Sequence, residues 1–288
     1  MKVAHLILAY KYPEQLDKLI DIMSIDEFTF FVHLDKKIDY KDFEFISARR
    51  NVIFIKNRVE ITWGSFSMNR AITESFKEIL EHDEYDYISV ITSFHLPVKL
   101  PHEIYNYLSE NKGFQFFNYI PYDPENYWWK RCERRILKYS LIGWKIPGKY
   151  KIEKIINILS PNRKFPSNYE VVGSPTSLFL TSDCVKYILN EFNKSKTLIN
   201  FFKYVWGSDE FIFATIIYNS RFKEKIKECL VHIEFSDEND GHSKVMQTVN
   251  FNTIKKSGKF FAKRFDPYID KEIIEMVNDL RNGITELN

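Results

Sequence analysis

An acidic triplet precedes an apolar stretch in the second half of the chain. Ser208-Asp209-Glu210 stands directly before residues 211–218, which are almost wholly apolar. A structural interpretation is that Ser208 or Asp209 caps a helix, with Glu210 favoured at its positive end. A catalytic interpretation is that Glu210 is a base that takes the proton from an attacking hydroxyl. A helix end lowers the pKa of such a carboxylate and desolvation raises it, so the sequence leaves both interpretations open.

Cationic residues late in the chain could neutralise a phosphate. The sequence contains no Asp-x-Asp motif, with which many sugar-nucleotide enzymes hold a divalent metal. A diphosphate leaving group must then be stabilised by cationic side chains or by a metal held differently. The candidates are Lys244 and the pair Lys263-Arg264, whose flanking phenylalanines indicate a partly buried segment. Any single Lys or Arg can instead be a solvated surface charge.

Aromatic and basic residues are interleaved between residues 128 and 138. Such a segment could bind single-stranded nucleic acid, an acidic glycan or a lipid headgroup, or could form a helix whose basic side chains snorkel to water. A nucleic-acid binder usually has a strong basic excess, whereas this chain has a net charge of only +2. We therefore expect no nucleic-acid partner.

Metal, dinucleotide and ATP sites lack their usual sequence patterns. The histidines have no zinc-type spacing, and there is no Gly-x-Gly-x-x-Gly or Walker-type loop. The three cysteines form no Cys-x-x-Cys pair and are expected to be free thiols in a reducing compartment. The histidines in question are His33, His95 and His242, and the three cysteines are Cys132, Cys184 and Cys229.

Apolar strands alternate with amphipathic helices through the first 120 residues. Strands are predicted at 3–9, 28–34, 52–55, 86–92 and 114–119, with helices beginning near Pro13, Ser67 and Pro101. This alternation predicts the α/β class, with a mostly parallel central sheet and helices on both faces. Ligands bind at the carboxyl ends of the strands in such sheets. We therefore expect ligand-binding residues within 33–35, 57–63 and 92–97.

A single domain over residues 1–288 is predicted, with a basic-aromatic insertion at about 121–169. Further strands are expected at 171–180 and 229–235, helices at 182–192 and 270–280, and a polar loop at 236–244. No stretch approaches the ~20 apolar residues of a membrane span, and the N-terminus is typical of a buried strand rather than a signal peptide. We expect a cytoplasmic protein that can contact the inner face of the membrane peripherally.

Six segments in order resemble the core-2/I-branching β-1,6-N-acetylglucosaminyltransferase family, which includes the peptide O-xylosyltransferases. They lie at 4–9, 32–37, 63–68, 173–174, 208–210 and 261–266 and extend over nearly the whole chain. The resemblance implies a GT-A-type nucleotide-sugar-binding fold, inversion at the anomeric carbon and no metal requirement. The absence of an Asp-x-Asp motif agrees with the expected lack of a metal requirement. The chain lacks the membrane anchor and the many cysteines of well-known members, so we expect a bacterial-type member.

The resemblance also implies roles for individual residues. It makes Glu210 the catalytic base and places the diphosphate at Lys244 and Arg264, with Lys263 able to share the second role. The nucleoside is expected near His33, Asp35, Asn57 and Arg58. The acceptor is expected near Trp129, Lys130, Arg131, Arg134 and His95.

One motif departs from the family. The family's Ser-Gly-Gln-Asp-x-Pro-like segment reads Thr-Ser-Phe-His-Leu-Pro at 92–97, so His95 replaces the expected acid. Donor or acceptor choice can therefore differ from that of well-known members. The prediction is an inverting, metal-independent transferase that moves N-acetylglucosamine from a UDP-sugar to a hydroxyl of a surface polysaccharide or lipid-linked glycan. Alternatives are transfer from UDP-xylose or another UDP-sugar, and a non-catalytic glycan-binding protein of the same fold.

Overall fold

Strands and helices alternate in the computed structural model, which describes residues 1–173, 177–235 and 243–284. The strands are β1 (Val3–Ala9), β2 (Phe28–Leu34), β3 (Val52–Phe54), β4 (Tyr87–Thr92), β5 (Leu96–Pro97), β6 (Gln115–Phe116), β7 (Ile120–Pro121), β8 (Val172–Gly173), β9 (Leu178–Thr181), β10 (Ile226–Lys227), β11 (Val231–Ile233) and β12 (Phe261–Lys263). The helices are α1 (Pro13–Met23), α2 (Ser67–His82), α3 (Pro101–Glu110), α4 (Tyr127–Leu137), α5 (Lys149–Leu159), α6 (Ser182–Lys194), α7 (Lys196–Phe202), α8 (Ile212–Tyr218), α9 (Phe251–Lys256) and α10 (Glu272–Arg281).

The central sheet has seven strands in the order β10-β6-β9-β4-β1-β2-β3. Strand β1 is parallel to β2 and β4, β2 is parallel to β3, and β10 is parallel to β6. Only β9 runs against its neighbours β4 and β6 within the described sheet. The predicted α/β class with a mostly parallel central sheet is confirmed.

Helices cover both faces of this sheet. Successive side chains of β1 point alternately into the two cores that these helices form with the sheet. Ala4, Leu6 and Leu8 point into a core shared with α2, α6 and α8. Val3, Ile7 and Ala9 point into a second core shared with α1 and α3. Every residue of β1 is buried, as expected for a central parallel strand covered on both sides.

A second sheet of three strands, in the order β11-β12-β5, lies beside the first. Strand β12 is parallel to β11 and antiparallel to β5, with Ala262 opposite Leu96. A third apolar cluster joins this sheet to α9 and α10. This pairing brings Lys263 and Arg264 to the segment that follows the carboxyl end of β4.

The predicted insertion at 121–169 contains α4 and α5. Helix α4 buries Trp129, Cys132 and Ile136 on one face. Trp129 is fully buried, packs against Phe211, and donates its indole N–H to the carbonyl of Ile120 at 3.2 Å. The expectation that Trp129 contacts the acceptor is therefore wrong, because its ring belongs to the main core. None of the helices in the described ranges is long and apolar enough to cross a bilayer.

Candidate active site

Glu210 lies in a short 3-10 turn, Ser208–Glu210, that leads into α8. Neither this turn nor α8 has a side-chain cap, so the interpretation of Ser208 or Asp209 as a helix cap is wrong. The turn is instead fixed from the start of α2. Gly207 donates its N–H to the carbonyl of Gly64 at 2.8 Å, and Asn69 donates its side-chain N–H to Ser208 Oγ at 2.6 Å.

An ion pair holds the Glu210 carboxylate. Arg135 of α4 donates from Nη1 to Glu210 Oε2 at 2.7 Å, and the two side chains are 18% and 30% exposed. The guanidinium also lies over the ring of Trp206, with Cζ 4.4 Å from the ring centroid. No described residue donates a hydrogen bond to the other carboxylate oxygen, Oε1. One oxygen of Glu210 is thus anchored while the other is available to a substrate.

Burial dominates the electrostatics of Glu210. Desolvation raises its pKa above the ordinary range of a glutamate, and the neighbouring charge of Asp209 raises the pKa further. The Arg135 and Lys263 cations oppose this effect by stabilising the ionised form. A carboxylate whose pKa is raised by burial is a stronger base than an exposed one.

Lys263 and Arg264 are adjacent in sequence but have different surroundings. Burial lowers the pKa of Lys263, and the negative charges of Asp209 and Glu210 partly offset this shift. The Arg264 guanidinium instead lies over the ring of Phe94, with Cζ 5.0 Å from the centroid. Its buried Nε–H has no acceptor among the described residues. Lys263 is thus coupled electrostatically to the two carboxylates, whereas Arg264 has a buried donor with no acceptor among the described residues. A role of Lys263 in diphosphate binding stays a prediction.

Lys244 lies beside Arg264 in the backbone. The N–H of Arg264 points at the carbonyl of Lys244 at 3.5 Å, and the carbonyl of Arg264 accepts from Met246 N–H at 2.8 Å. The Lys244 side chain is 40% exposed, and its ammonium is 3.9 Å from a carboxylate oxygen of Glu234. The structure therefore brings the two predicted diphosphate-binding residues together. Ser174 of the 173–174 motif and most of the predicted polar loop, including His242, lie outside the described residues.

His95 is fully buried at the turn between β4 and β5. Its Nδ1 accepts the N–H of Thr92 at 3.0 Å, which leaves Nε2 to donate to Ser177 Oγ at 3.2 Å. Burial lowers the pKa of His95 well below its ordinary value, and the charge of Lys263 adds to this shift. His95 is therefore a neutral side chain that positions Ser177, and the expectation of direct acceptor contact is corrected.

The predicted nucleoside residues fix the loop that follows β3. His33 is fully buried, and its Nε2 accepts the N–H of Val59 at 3.0 Å. Arg58 donates to the carbonyls of Leu34 and Asp35 at 2.9 and 2.8 Å. The expectation that the His33 side chain contacts the nucleoside is corrected, because His33 is fully buried and holds the loop against the end of β2. Arg58 is only partly buried, so its nucleoside contact stays a prediction.

The side chains of Asp35 and Asn57 differ in how freely they could contact a nucleoside. Asp35 is buried, and its Oδ1 accepts N–H groups of Lys37 at 3.0 Å and Ile61 at 3.4 Å, so its carboxylate also supports the loop. Asn57 is exposed, and only its backbone N–H is bound, to Glu78 Oε1 at 2.8 Å. A nucleoside contact by the Asn57 side chain stays a prediction.

A basic pocket of about 290 Å³ adjoins the ion pair. Arg131 and Arg134, both predicted acceptor residues, line it together with Arg135 and Lys138. Further lining residues are Tyr139, Ser140, Glu153, Asn157 and Trp206. Lys130 is exposed, is not among the residues that line this pocket, and forms an ion pair with Glu125 at 2.8 Å; its predicted acceptor contact stays a prediction.

Sequence reasoning left Arg135 out of the predicted site residues, although a signal was present. Arg131, Arg134, Arg135 and Lys138 recur at the spacing i, i+3, i+4 and i+7, which places them on one face of a helix. Trp206 was also missed as a platform for Arg135. Trp63, 57% exposed, packs edge-on against Trp206 with ring centroids 4.8 Å apart. Trp63 thus exposes an aromatic ring beside Trp206, whose own ring packs against Arg135.

Within the described residues, no group of three or more His, Cys, Asp or Glu side chains is placed to hold a metal ion. That Lys244, Lys263 and Arg264 bind a diphosphate stays a prediction.

Comparison with known proteins identifies relatives over nearly the whole chain. The sequence model of the Core-2/I-Branching enzyme family matches residues 3–258. Xylosyltransferase oxt of Drosophila melanogaster is 18% identical over 294 residues, which cover 93% of this chain and 32% of that protein. Xylosyltransferase 2 of Rattus norvegicus is 20% identical over 302 residues, which cover 96% and 33%. The chain thus spans about a third of the length of these relatives.

Two solved structures align with most of the chain at low sequence identity. An active-site mutant of LgtC aligns with a TM-score of 0.47 and 11% identity, and the alignment covers 100% of this chain and 98% of that one. TarS 1–349 of S. aureus aligns with a TM-score of 0.42 and 12% identity, covering 97% and 65%.

Replacement of Gly207 by alanine should disturb the ion pair as well as the backbone. Gly207 has a φ of +64°, and a Cβ there would lie 3.2 Å from Arg135 Nη1. We expect Gly207→Ala to lose about 1 kcal/mol of unfolding free energy through backbone strain, and more through displacement of Arg135. Gly258→Ala is the matched control, because Gly258 has the same φ and no atom within 4 Å of the added methyl group. Equal losses in chemical denaturation would show that Gly207 does not constrain the ion pair.

Proposed function

The chain belongs to the Core-2/I-Branching enzyme family, a family of glycosyltransferases, and we propose that it transfers a sugar from a UDP donor to a glycan hydroxyl with inversion and without a metal. Its α/β fold is of the GT-A type. The observation that carries the proposal is the half-buried Glu210 carboxylate, which Arg135 anchors through one oxygen and whose pKa responds to the charge of Lys263.

Glu210 is the general base of this reaction. The acceptor oxygen forms a bond to the anomeric carbon while the bond from that carbon to the UDP oxygen breaks. The acceptor proton passes to Glu210, and the bonding electron pair leaves with the diphosphate. Arg135 orients the carboxylate through Oε2, so that Oε1 can receive the proton.

Cationic side chains stabilise the leaving group in place of a metal. The diphosphate gains negative charge as the donor bond breaks, and fixed cations lower the energy of that transition state. Arg264 supports this role because its buried Nε–H has no acceptor among the described residues, and Lys244 lies beside it. Lys263 adds positive charge near the base and favours the ionised form of Glu210.

The donor sugar is proposed from the family and its relatives. N-acetylglucosamine is the first candidate, because the branching enzymes that the chain resembles transfer this sugar. UDP-xylose is the second, because the curated relatives are named xylosyltransferases. The acceptor side is the basic pocket lined by Arg131 and Arg134, whose charge suits an acidic glycan of a surface polysaccharide or a lipid-linked glycan. The alternative is a non-catalytic glycan-binding protein, and the Glu210→Gln variant distinguishes the two.

Replacement of Glu210 by glutamine should abolish transfer and leave UDP binding intact. The amide cannot accept the acceptor proton, and loss of a general base typically lowers the rate by about 10²- to 10⁴-fold. The control is Glu125→Gln, an exposed carboxylate paired with Lys130. Transfer from UDP-N-acetylglucosamine and UDP-xylose, followed with an oligosaccharide acceptor, measures the rate. Activity near that of the wild type would remove Glu210 from the base role.

UDP should bind in the presence of EDTA, and removal of Arg264 should weaken that binding. A diphosphate charge left unpaired in Arg264→Ala should cost about tenfold in affinity, or about 1.4 kcal/mol. Lys244→Ala should lower affinity in the same direction, and Lys255→Ala on the exposed end of α9 is the control. Isothermal titration with EDTA, then with added manganese, measures each variant. Binding that requires the metal would contradict neutralisation by side chains.

A further inference from the structure

Helix α5 exposes its large apolar side chains. Ile155, Ile158 and Leu159 are 55%, 68% and 79% exposed, and none of the residues of the helix is buried. A helix at an ordinary protein surface turns its apolar stripe towards the core and its polar residues towards water. Helix α5 therefore carries an apolar face that the described part of the chain leaves uncovered.

Two polar side chains of α5, Glu153 and Asn157, face the protein instead. Glu153 accepts the N–H of Leu141 at 2.7 Å. Asn157, one turn further on, accepts the N–H of Tyr139 at 2.8 Å and donates to the Tyr139 carbonyl at 2.8 Å. These bonds fix the rotation of α5 about its axis, so the outward direction of Ile155 and its neighbours is built into the fold.

The segment before α5 extends the apolar face and adds aromatic rings. Trp144 and Ile146 are 42% and 43% exposed, and Tyr150 in the first turn of α5 is 62% exposed. Trp and Tyr are enriched where proteins meet the boundary between lipid headgroups and acyl chains, because one part of the ring is apolar and the other is polar. We name the surface formed by residues 144–159 the α5 face.

The charge of the α5 face is strongly positive. Residues 144–159 contain four lysines and one glutamate. Lys145 is paired with Glu60 at 2.6 Å, but the described residues give Lys151 and Lys154 no acidic partner. A basic amphipathic helix with exposed isoleucine, leucine and aromatic residues is typical of helices that lie in the headgroup region of a bilayer.

We propose that the α5 face docks onto a lipid bilayer with anionic headgroups. The apolar side chains insert into the interfacial region, and Lys151 and Lys154 bind the negative surface. A second copy of this chain is a poorer occupant, because a symmetric contact would place the lysines of one copy against those of the other. The charge of the α5 face thus favours an anionic lipid surface.

Docking would place the acceptor side of the proposed active site next to the membrane. Glu153 and Asn157 of α5 line the basic pocket together with Arg135, which holds the catalytic Glu210. An acceptor carried by a lipid would then reach the base without leaving the bilayer surface. This consequence for the acceptor rests on the proposed function, whereas the docking itself does not.

Vesicle flotation tests the proposal with the full chain. Wild-type protein should float with vesicles of phosphatidylglycerol and phosphatidylcholine, and much less with phosphatidylcholine alone. The variant I155S/I158S/L159S should bind anionic vesicles at least tenfold more weakly. Its matched control is F45S/V249S/I284S, which changes three exposed apolar residues elsewhere and should bind as the wild type does. The variant K151E/K154E should lose about fivefold or more for each lysine.

UDP titration of each variant separates docking from the proposed activity. Retained UDP affinity with lost vesicle binding supports the α5 face as a docking surface. Equal vesicle binding by the wild type, the triple serine variant and K151E/K154E would overturn the proposal. A dimer in light scattering that only the triple serine variant abolishes would also overturn it, in favour of a second copy as the occupant. If the serine variant failed to fold, K151E/K154E would decide, because both lysines are exposed.

Discussion

The ion pair between Arg135 and Glu210 is the constraint on which the site depends. A half-buried carboxylate is costly unless a cation and hydrogen bonds compensate it. Arg135 supplies both at 2.7 Å, but only because α4 is anchored in the core through Trp129 and the turn at Gly207 leaves room for the guanidinium. Helix α4 of the basic segment is therefore part of the proposed active site.

The central sheet positions acidic residues of the candidate active site, and the smaller sheet positions basic ones. The central sheet, through the segments around α2 and α8, positions the acidic turn that contains Glu210. The smaller sheet, through the pairing of β12 with β5, presents Lys263 to that turn and Arg264 to Phe94. In our proposal, acid–base chemistry and phosphate binding thus fall to residues whose side chains have different surroundings.

The sequence predicted the architecture better than the side-chain environments. Buried parallel strands produce continuous apolar runs, so β1, β2 and β4 were recognisable, and motif order correctly indicated the family. Whether a polar or aromatic residue faces a ligand or the interior depends on tertiary packing. That is why Trp129, His33 and His95 were misplaced. The exposed apolar face of α5 could not be predicted either, because hydrophobic periodicity does not show which side of a helix packs against the rest of the protein.

The pH dependence of kcat/KM, compared between the wild type and Arg135→Ala, tests the role of Glu210 most directly. A base must be deprotonated, so activity is present above its pKa and is lost as the pH falls through it. Because burial raises this pKa and Arg135 opposes the shift, the wild type should lose activity above the ordinary pKa range of a glutamate. Arg135→Ala should move that loss to still higher pH. An acidic limb that stays in place when Arg135 is removed would contradict the account.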